Sequence, residues 1–106
     1  MWRATYMQIS EYEIFRDTIL ASFKKRGTAF LMEDKILKDI GFQKAINPKE
    51  DKARLDSILE VMRENDLVLT NQPKFVALTP AGRSAVEALS PERVAELERE
   101  LEERLK

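Results

Sequence analysis

The sequence has 106 residues, enough for one domain with a sizeable core, and 43% of them are hydrophobic. It contains no Cys and no His, which excludes disulfides, Cys/His zinc sites and catalytic triads with a histidine base. Its 18 basic and 19 acidic residues leave a net charge of −1, which excludes a globally basic nucleic-acid binder. No apolar run approaches the roughly 20 residues that span a bilayer, and the N-terminus lacks a signal-peptide pattern. We therefore expect a cytoplasmic protein without a membrane partner.

Glycine and proline mark the ends of the predicted elements. The first helix is expected to begin at Ser10, which has capping-box spacing to Glu13, and to stop at Gly27. Residues 28–31 form a short apolar stretch compatible with a small strand, and a second helix is expected over residues 32–40. Apolar residues at helical spacing give these two helices their buried faces: Phe15, Ile19, Phe23, Ile36, Leu37 and Ile40.

The clearest local signal in the chain starts a third helix. Asn47 is a good N-cap, Pro48 suits the first helical position, and Glu50 completes a capping box. This helix is predicted to run from Pro48 to about Glu64. Its buried stripe is formed by Leu55, Ile58, Leu59 and Met62.

A hairpin and two further helices complete the prediction. The strands are expected at residues 67–70 and 75–78, joined by a turn at residues 71–74. Thr79 then caps a helix that begins with a proline, and Ser90 with Pro91 repeats that signal for a final helix.

This order of elements resembles the winged helix-turn-helix domain over residues 10–89. Residues 55–68 are similar to a recognition helix that runs into the first wing strand. In residues 75–83, an apolar strand, a Thr cap and a Gly-Arg pair recur as in MarR-like and PadR-like regulators. The resemblance implies a mainly α protein with a small β-hairpin (α+β), a winged helix with an added C-terminal helix. Residues 1–89 would form the winged-helix domain with an N-terminal arm, and residues 90–106 a C-terminal helix for dimerisation.

The resemblance also implies a function, which is binding of double-stranded DNA by a small dimeric transcription regulator. The third helix would enter the major groove with its N-terminal half, where small side chains permit close approach and cations pair with phosphates or guanine. The residues assigned to DNA are Lys49, Lys52, Ala53, Arg54 and Ser57 on this helix, and Gln72 and Lys74 on the wing. The alternative for the three helical cations is an ordinary solvated helix face.

The distribution of charge supports DNA binding weakly. Residues 1–86 carry 14 basic and 12 acidic side chains, whereas residues 87–106 carry 4 basic and 7 acidic ones, so the acidity is concentrated in the tail. Three features favour a different function, a protein–protein interaction module without DNA binding. The connection at residues 41–47 is longer than the usual 3–4-residue turn, and the acidic Glu60 and Glu64 occupy the outward face of the third helix. The wing tip is also short, with Lys74 as its only charge.

The two ends of the chain carry apolar residues at helical spacing. We expect a homodimer through these surfaces, and the alternative is a tail helix that folds back on its own first helix. The residues assigned to the dimer interface are Trp2, Tyr6, Ile9, Val94, Leu97, Leu101 and Leu105.

Nothing in the sequence indicates catalysis. The three glycines lie too far apart for a phosphate loop, and the usual bases and nucleophiles are missing with His and Cys. Adjacent carboxylates such as Glu33 and Asp34 point apart on a helix, so we interpret them as solvated. We expect a binding protein with no catalytic residues, no metal and no cofactor.

Overall fold

The protein is mostly helical, with a small three-stranded antiparallel sheet. The computed structural model describes residues 9–40 and 48–104, with the backbone alone at residues 9–11, 48–50, 101 and 104. The described elements are α1 (Ile9–Arg26), β1 (Phe30–Met32), α2 (Glu33–Asp39), α3 (Pro48–Glu64), β2 (Val68–Leu69), β3 (Phe75–Leu78), α4 (Pro80–Ala88) and α5 (Pro91–Arg104). The expected α+β class is confirmed.

Two helices end in the same hydrogen-bonded turn. After α1, the N–H of Gly27 donates to the carbonyl of Lys24 and that of Thr28 to Phe23, with Gly27 at φ +65°. This is a Schellman motif, in which a residue in the left-handed region closes the helix, and it confirms the stop predicted at Gly27. After α3, Asp66 takes the left-handed position with φ +63°.

The sheet differs from the prediction at its first strand. β3 lies in the centre, with Val68 of β2 opposite Leu78 on one side and Leu31 of β1 opposite Val76 on the other. The strand expected over residues 28–31 therefore begins two residues later, and it joins the hairpin to make three strands. β2 is shorter than predicted because the N–H of Leu67 is bonded to Met62 at the end of α3.

The helices and one face of the sheet enclose a single apolar core. The stripe predicted for α1 is buried, and so is the stripe predicted for α3. Ile36 and Ile40 fill the space between them, whereas Leu37 is only partly buried. The largest fully buried side chains are Phe23, Ile19, Ile36, Ile40, Leu55, Ile58, Met62, Leu97, Val68 and Val76.

The start of α1 corrects one expectation. Ile9 is already helical, so Ser10 is inside the helix and is not the N-cap that its spacing to Glu13 predicted. Helix ends shift by one or two residues in this way because terminal turns differ little in energy. Two other caps are confirmed. The Thr79 hydroxyl accepts the N–H of Gly82 at 2.9 Å before α4, and the Ser90 hydroxyl accepts the N–H of Arg93 at 3.0 Å before α5. The cap predicted at Asn47 lies outside the described residues.

Candidate nucleic-acid interface

The N-terminal half of α3 presents the side chains that the sequence assigned to DNA. Leu55 and Ile58 are buried against the core, so the opposite side of the helix faces solvent. Lys52, Ala53, Arg54 and Ser57 are all exposed there, while the side chain of Lys49 lies outside the described residues. The Ser57 hydroxyl donates to the Ala53 carbonyl at 3.1 Å.

Lys52 is held by two carboxylates. Its Nζ lies 2.6 Å from Oδ1 of Asp56, one turn along α3, and 3.1 Å from Oε1 of Glu33 at the start of α2. The hydrogen bond to Asp56, and with it that to Glu33, raises the pKa of Lys52 above its ordinary value. A phosphate that binds Lys52 must compete with both carboxylates for the same ammonium group.

The hairpin approaches α3 through the same glutamate. The backbone N–H of Glu33 donates to the carbonyl of Lys74 at 2.8 Å, and Lys74 adopts a left-handed backbone with φ +68°. Gln72 and Lys74 are exposed at the end of the hairpin. Glu33 therefore joins the two parts of the predicted interface, because its side chain binds Lys52 and its backbone binds the hairpin.

The C-terminal half of α3 is mixed in charge. Glu60 and Glu64 are exposed on the outward face, as the helical wheel predicted, and Arg63 is exposed on its flank. The two carboxylates make this half of the helix less favourable to a phosphate than the N-terminal half.

Sequence reasoning missed the two partners of Lys52. The signal for Asp56 was present, because a Lys and an Asp four residues apart on a helix lie on neighbouring turns. Glu33 had no such signal, since it is 19 positions from Lys52 and was interpreted as a solvated residue. Its role became visible only when α2 and α3 were packed together.

The residues assigned to a dimer interface divide into three groups. Leu97 is 2% exposed within the single chain, and Val94 is partly buried. For Ile9 and Leu101 the structure describes the backbone but not the side chain. The remaining three, Trp2, Tyr6 and Leu105, lie outside the described residues.

In the single chain, α5 packs along α1, which is the fold-back alternative. Two ion pairs join the helices: Arg93 Nη2 lies 2.8 Å from Asp17 Oδ2, and Lys25 Nζ lies 2.6 Å from Glu98 Oε2. The surface of Leu97 is therefore used within the chain, and the dimer remains a prediction.

The outer face of the sheet is apolar. Phe30, Met32 and Leu69 are among its side chains and are 47%, 42% and 49% exposed, and the ring of Phe30 stacks on that of Phe75 at 4.7 Å. The hydroxyl of Thr28 accepts the N–H of Phe30 and donates to its carbonyl, on the edge of β1 that is not paired with β3. These two bonds use the backbone groups through which a further strand would pair at this position.

Neither a metal-binding cluster nor a membrane-spanning helix is present among the described residues. Within this part of the chain, no cluster of three or more acidic side chains is arranged to hold a metal ion. Likewise, none of the described helices combines the length and the apolar content required to cross a bilayer.

Comparisons with protein-family models, curated proteins and solved structures give no match to this chain.

Proposed function

We propose that this chain is a small cytoplasmic winged-helix protein that binds double-stranded DNA, as a dimeric transcription regulator. The element order and the sheet order β1-β3-β2 support the resemblance to a winged helix-turn-helix domain. The observation that carries the proposal is the convergence of α3 and the hairpin on Glu33, which contacts the Lys52 side chain and the Lys74 backbone.

The modest charge of this surface sets the expected strength of binding. Each phosphate contact contributes about 0.9 to the slope of log affinity against log salt. For a dimer with about three phosphate contacts per chain, about six in all, a rise from 50 to 200 mM salt would lower the affinity roughly a thousandfold or more. Fluorescence anisotropy with a labelled duplex of mixed sequence at these two salt concentrations measures the slope.

The first test reverses two charges on the N-terminal half of α3. Lys49→Glu with Lys52→Glu is expected to abolish binding without changing the molecular mass or the far-UV circular dichroism. The matched control, Arg83→Glu with Arg99→Glu, reverses two exposed cations on α4 and α5 and is expected to retain most of the affinity. Undiminished binding by the α3 variant would refute the assigned surface.

The second test removes the carboxylates that compete with DNA for Lys52. Glu33→Gln with Asp56→Asn leaves the ammonium group available to a phosphate, so we expect tighter binding and a steeper salt slope. Glu92→Gln with Glu102→Gln makes the same change in net charge on α5 and serves as the control. Equal gains in the two variants would mean that Lys52 makes no phosphate contact.

A second candidate function is a protein–protein interaction module. The exposed apolar face with the stacked Phe30 and Phe75 favours it, because contiguous apolar surface on a small protein marks interaction sites. The exposed Glu60 and Glu64 favour it as well. Absence of duplex binding near 50 mM salt would select this function over DNA binding.

A further inference from the structure

A cleft outside the DNA surface lies between α5 and the ends of α1 and α2. Its volume is about 240 Å³ and one side is open to solvent. Ala21 of α1 and Val94 and Leu97 of α5 supply its apolar lining. This volume is below the roughly 300–1,000 Å³ of sites that hold drug-sized ligands, so nucleotides and larger cofactors do not fit.

The rim of the cleft carries two cations and two carboxylates. Lys25 Nζ binds Glu98 Oε2 at 2.6 Å, and the Arg26 guanidinium binds both oxygens of Asp39 at 2.7 and 2.8 Å. The buried hydroxyl of Ser22 also donates to Asp39. The rim is therefore neutral overall, with charges of both signs close to an apolar wall.

The Lys25–Glu98 pair retains capacity for a ligand. Both side chains are about half exposed, 55% and 54%. An ammonium group has three donors, and one of them is directed at Glu98, so two remain for an incoming carboxylate. A carboxylate accepts at two oxygens, and the contact with Lys25 uses Oε2 of Glu98. A ligand with one positive and one negative group can thus bind both residues without separating them.

We propose that this cleft binds a free α-amino acid with a branched apolar side chain, such as leucine. The ligand carboxylate binds Lys25, the ligand ammonium binds Glu98, and the side chain lies on the half-buried Val94. Arg26 and Asp39 are joined by two hydrogen bonds and hold the remaining wall of the cleft in place. Because the ligand touches α1 and α5 together, its binding stabilises the packed position of α5 by mass action.

The inference does not depend on DNA binding, and its test uses the full chain without DNA. Isothermal titration compares L-leucine with 3-methylbutylamine, which lacks the carboxylate, and with 4-methylpentanoate, which lacks the ammonium group. We expect saturable leucine binding with a Kd of about 1 mM or tighter, and about tenfold weaker binding of each analogue. Equal affinity for the three compounds, or no saturation by leucine up to about 20 mM, would overturn the proposal.

Two charge-removing variants assign the ends of the ligand. Lys25→Gln is expected to weaken the binding of leucine and 4-methylpentanoate but not that of 3-methylbutylamine. Glu98→Gln is expected to weaken the binding of leucine and 3-methylbutylamine but not that of 4-methylpentanoate. Lys35→Gln and Glu102→Gln, at exposed positions outside the cleft, are the controls.

The assigned orientation is contradicted if a cleft variant loses binding of all three compounds, or if it keeps binding of all three. Far-UV circular dichroism of each variant checks that α5 is still helical. Because both substituted side chains are half exposed, we expect the fold to be retained.

Discussion

Gly82 lies in the first turn of α4, where this helix crosses the chain that enters β2. A Cβ at this position would lie 2.0 Å from the carbonyl oxygen of Leu67 and 3.2 Å from Cδ2 of Leu78. The same carbonyl accepts the N–H of Thr79 at 3.1 Å, and the N–H of Gly82 caps the helix on the Thr79 hydroxyl. Gly82→Ala therefore forces backbone, rather than a flexible side chain, to move by more than 1 Å before an ordinary C···O contact of about 3.3 Å is reached.

The expected loss of stability can be worked from these contacts. Overpacking of a tight site costs up to about 3 kcal/mol, and loss of the Thr79–Leu67 hydrogen bond costs about 1 kcal/mol. Alanine recovers about 1 kcal/mol over glycine within a helix. We therefore expect Gly82→Ala to lower the free energy of unfolding by about 3 kcal/mol.

Urea unfolding followed by circular dichroism at 222 nm measures this difference. Gly27→Ala is the matched control, because none of the described residues beyond its local backbone comes within 4 Å of the added Cβ, and the φ of +65° is what opposes alanine. The control should cost about 1–2 kcal/mol. A Gly82→Ala variant within about 0.5 kcal/mol of the unmodified protein would refute the packing of α4 on the chain before β2.

Three further variants test the tail, the cleft and the sheet. Leu97→Ala should lower the free energy of unfolding by about 3 kcal/mol, since its side chain is buried; a loss below about 1 kcal/mol would mean that α5 does not pack on α1 in solution. Burial alone would raise the pKa of Asp39, but hydrogen bonds from Arg26 and Ser22 lower it. Its stabilisation is therefore complete above the unfolded pKa of about 3.9 and is lost as pH falls through the lower folded value. The Asp39→Asn variant should therefore lose more stability at pH 6 than at a pH below about 3.9, and a difference that does not change with pH would contradict this. Phe30→Thr should cost about 1 kcal/mol more than Met32→Thr, because only Phe30 stacks on Phe75; urea unfolding that gives equal losses would argue against the stack.

The N-terminal half of α3 contains one feature that the sequence predicted and one that it did not. The outward position of Ala53 and Ser57 followed from the buried stripe of α3, and both are exposed. The ion pair to Glu33 did not follow, because the charge around Lys52 depends on how α2 packs beside α3. The competition of Glu33 with a phosphate for Lys52 is therefore a property of the tertiary structure.

The end of α3 gives a second example. Gly27 and Asp66 close their helices with the same left-handed turn, but only the glycine was recognised in advance. Aspartate tolerates this conformation at a cost that glycine avoids. Here the hydrogen bond from the N–H of Leu67 to the carbonyl of Met62 holds the turn in place, and the turn leads directly into β2.

The sequence by itself determined the helices and their buried faces, because caps, helix stops and apolar spacing act between residues a few positions apart. It placed α3 at Pro48–Glu64 and the Thr79 cap correctly. The tertiary structure alone decided that β1 pairs with β3, that α5 lies on α1, and that Lys25 and Glu98 border one cleft. Each of these depends on contacts between residues more than 40 positions apart, for which spacing along the chain carries no signal.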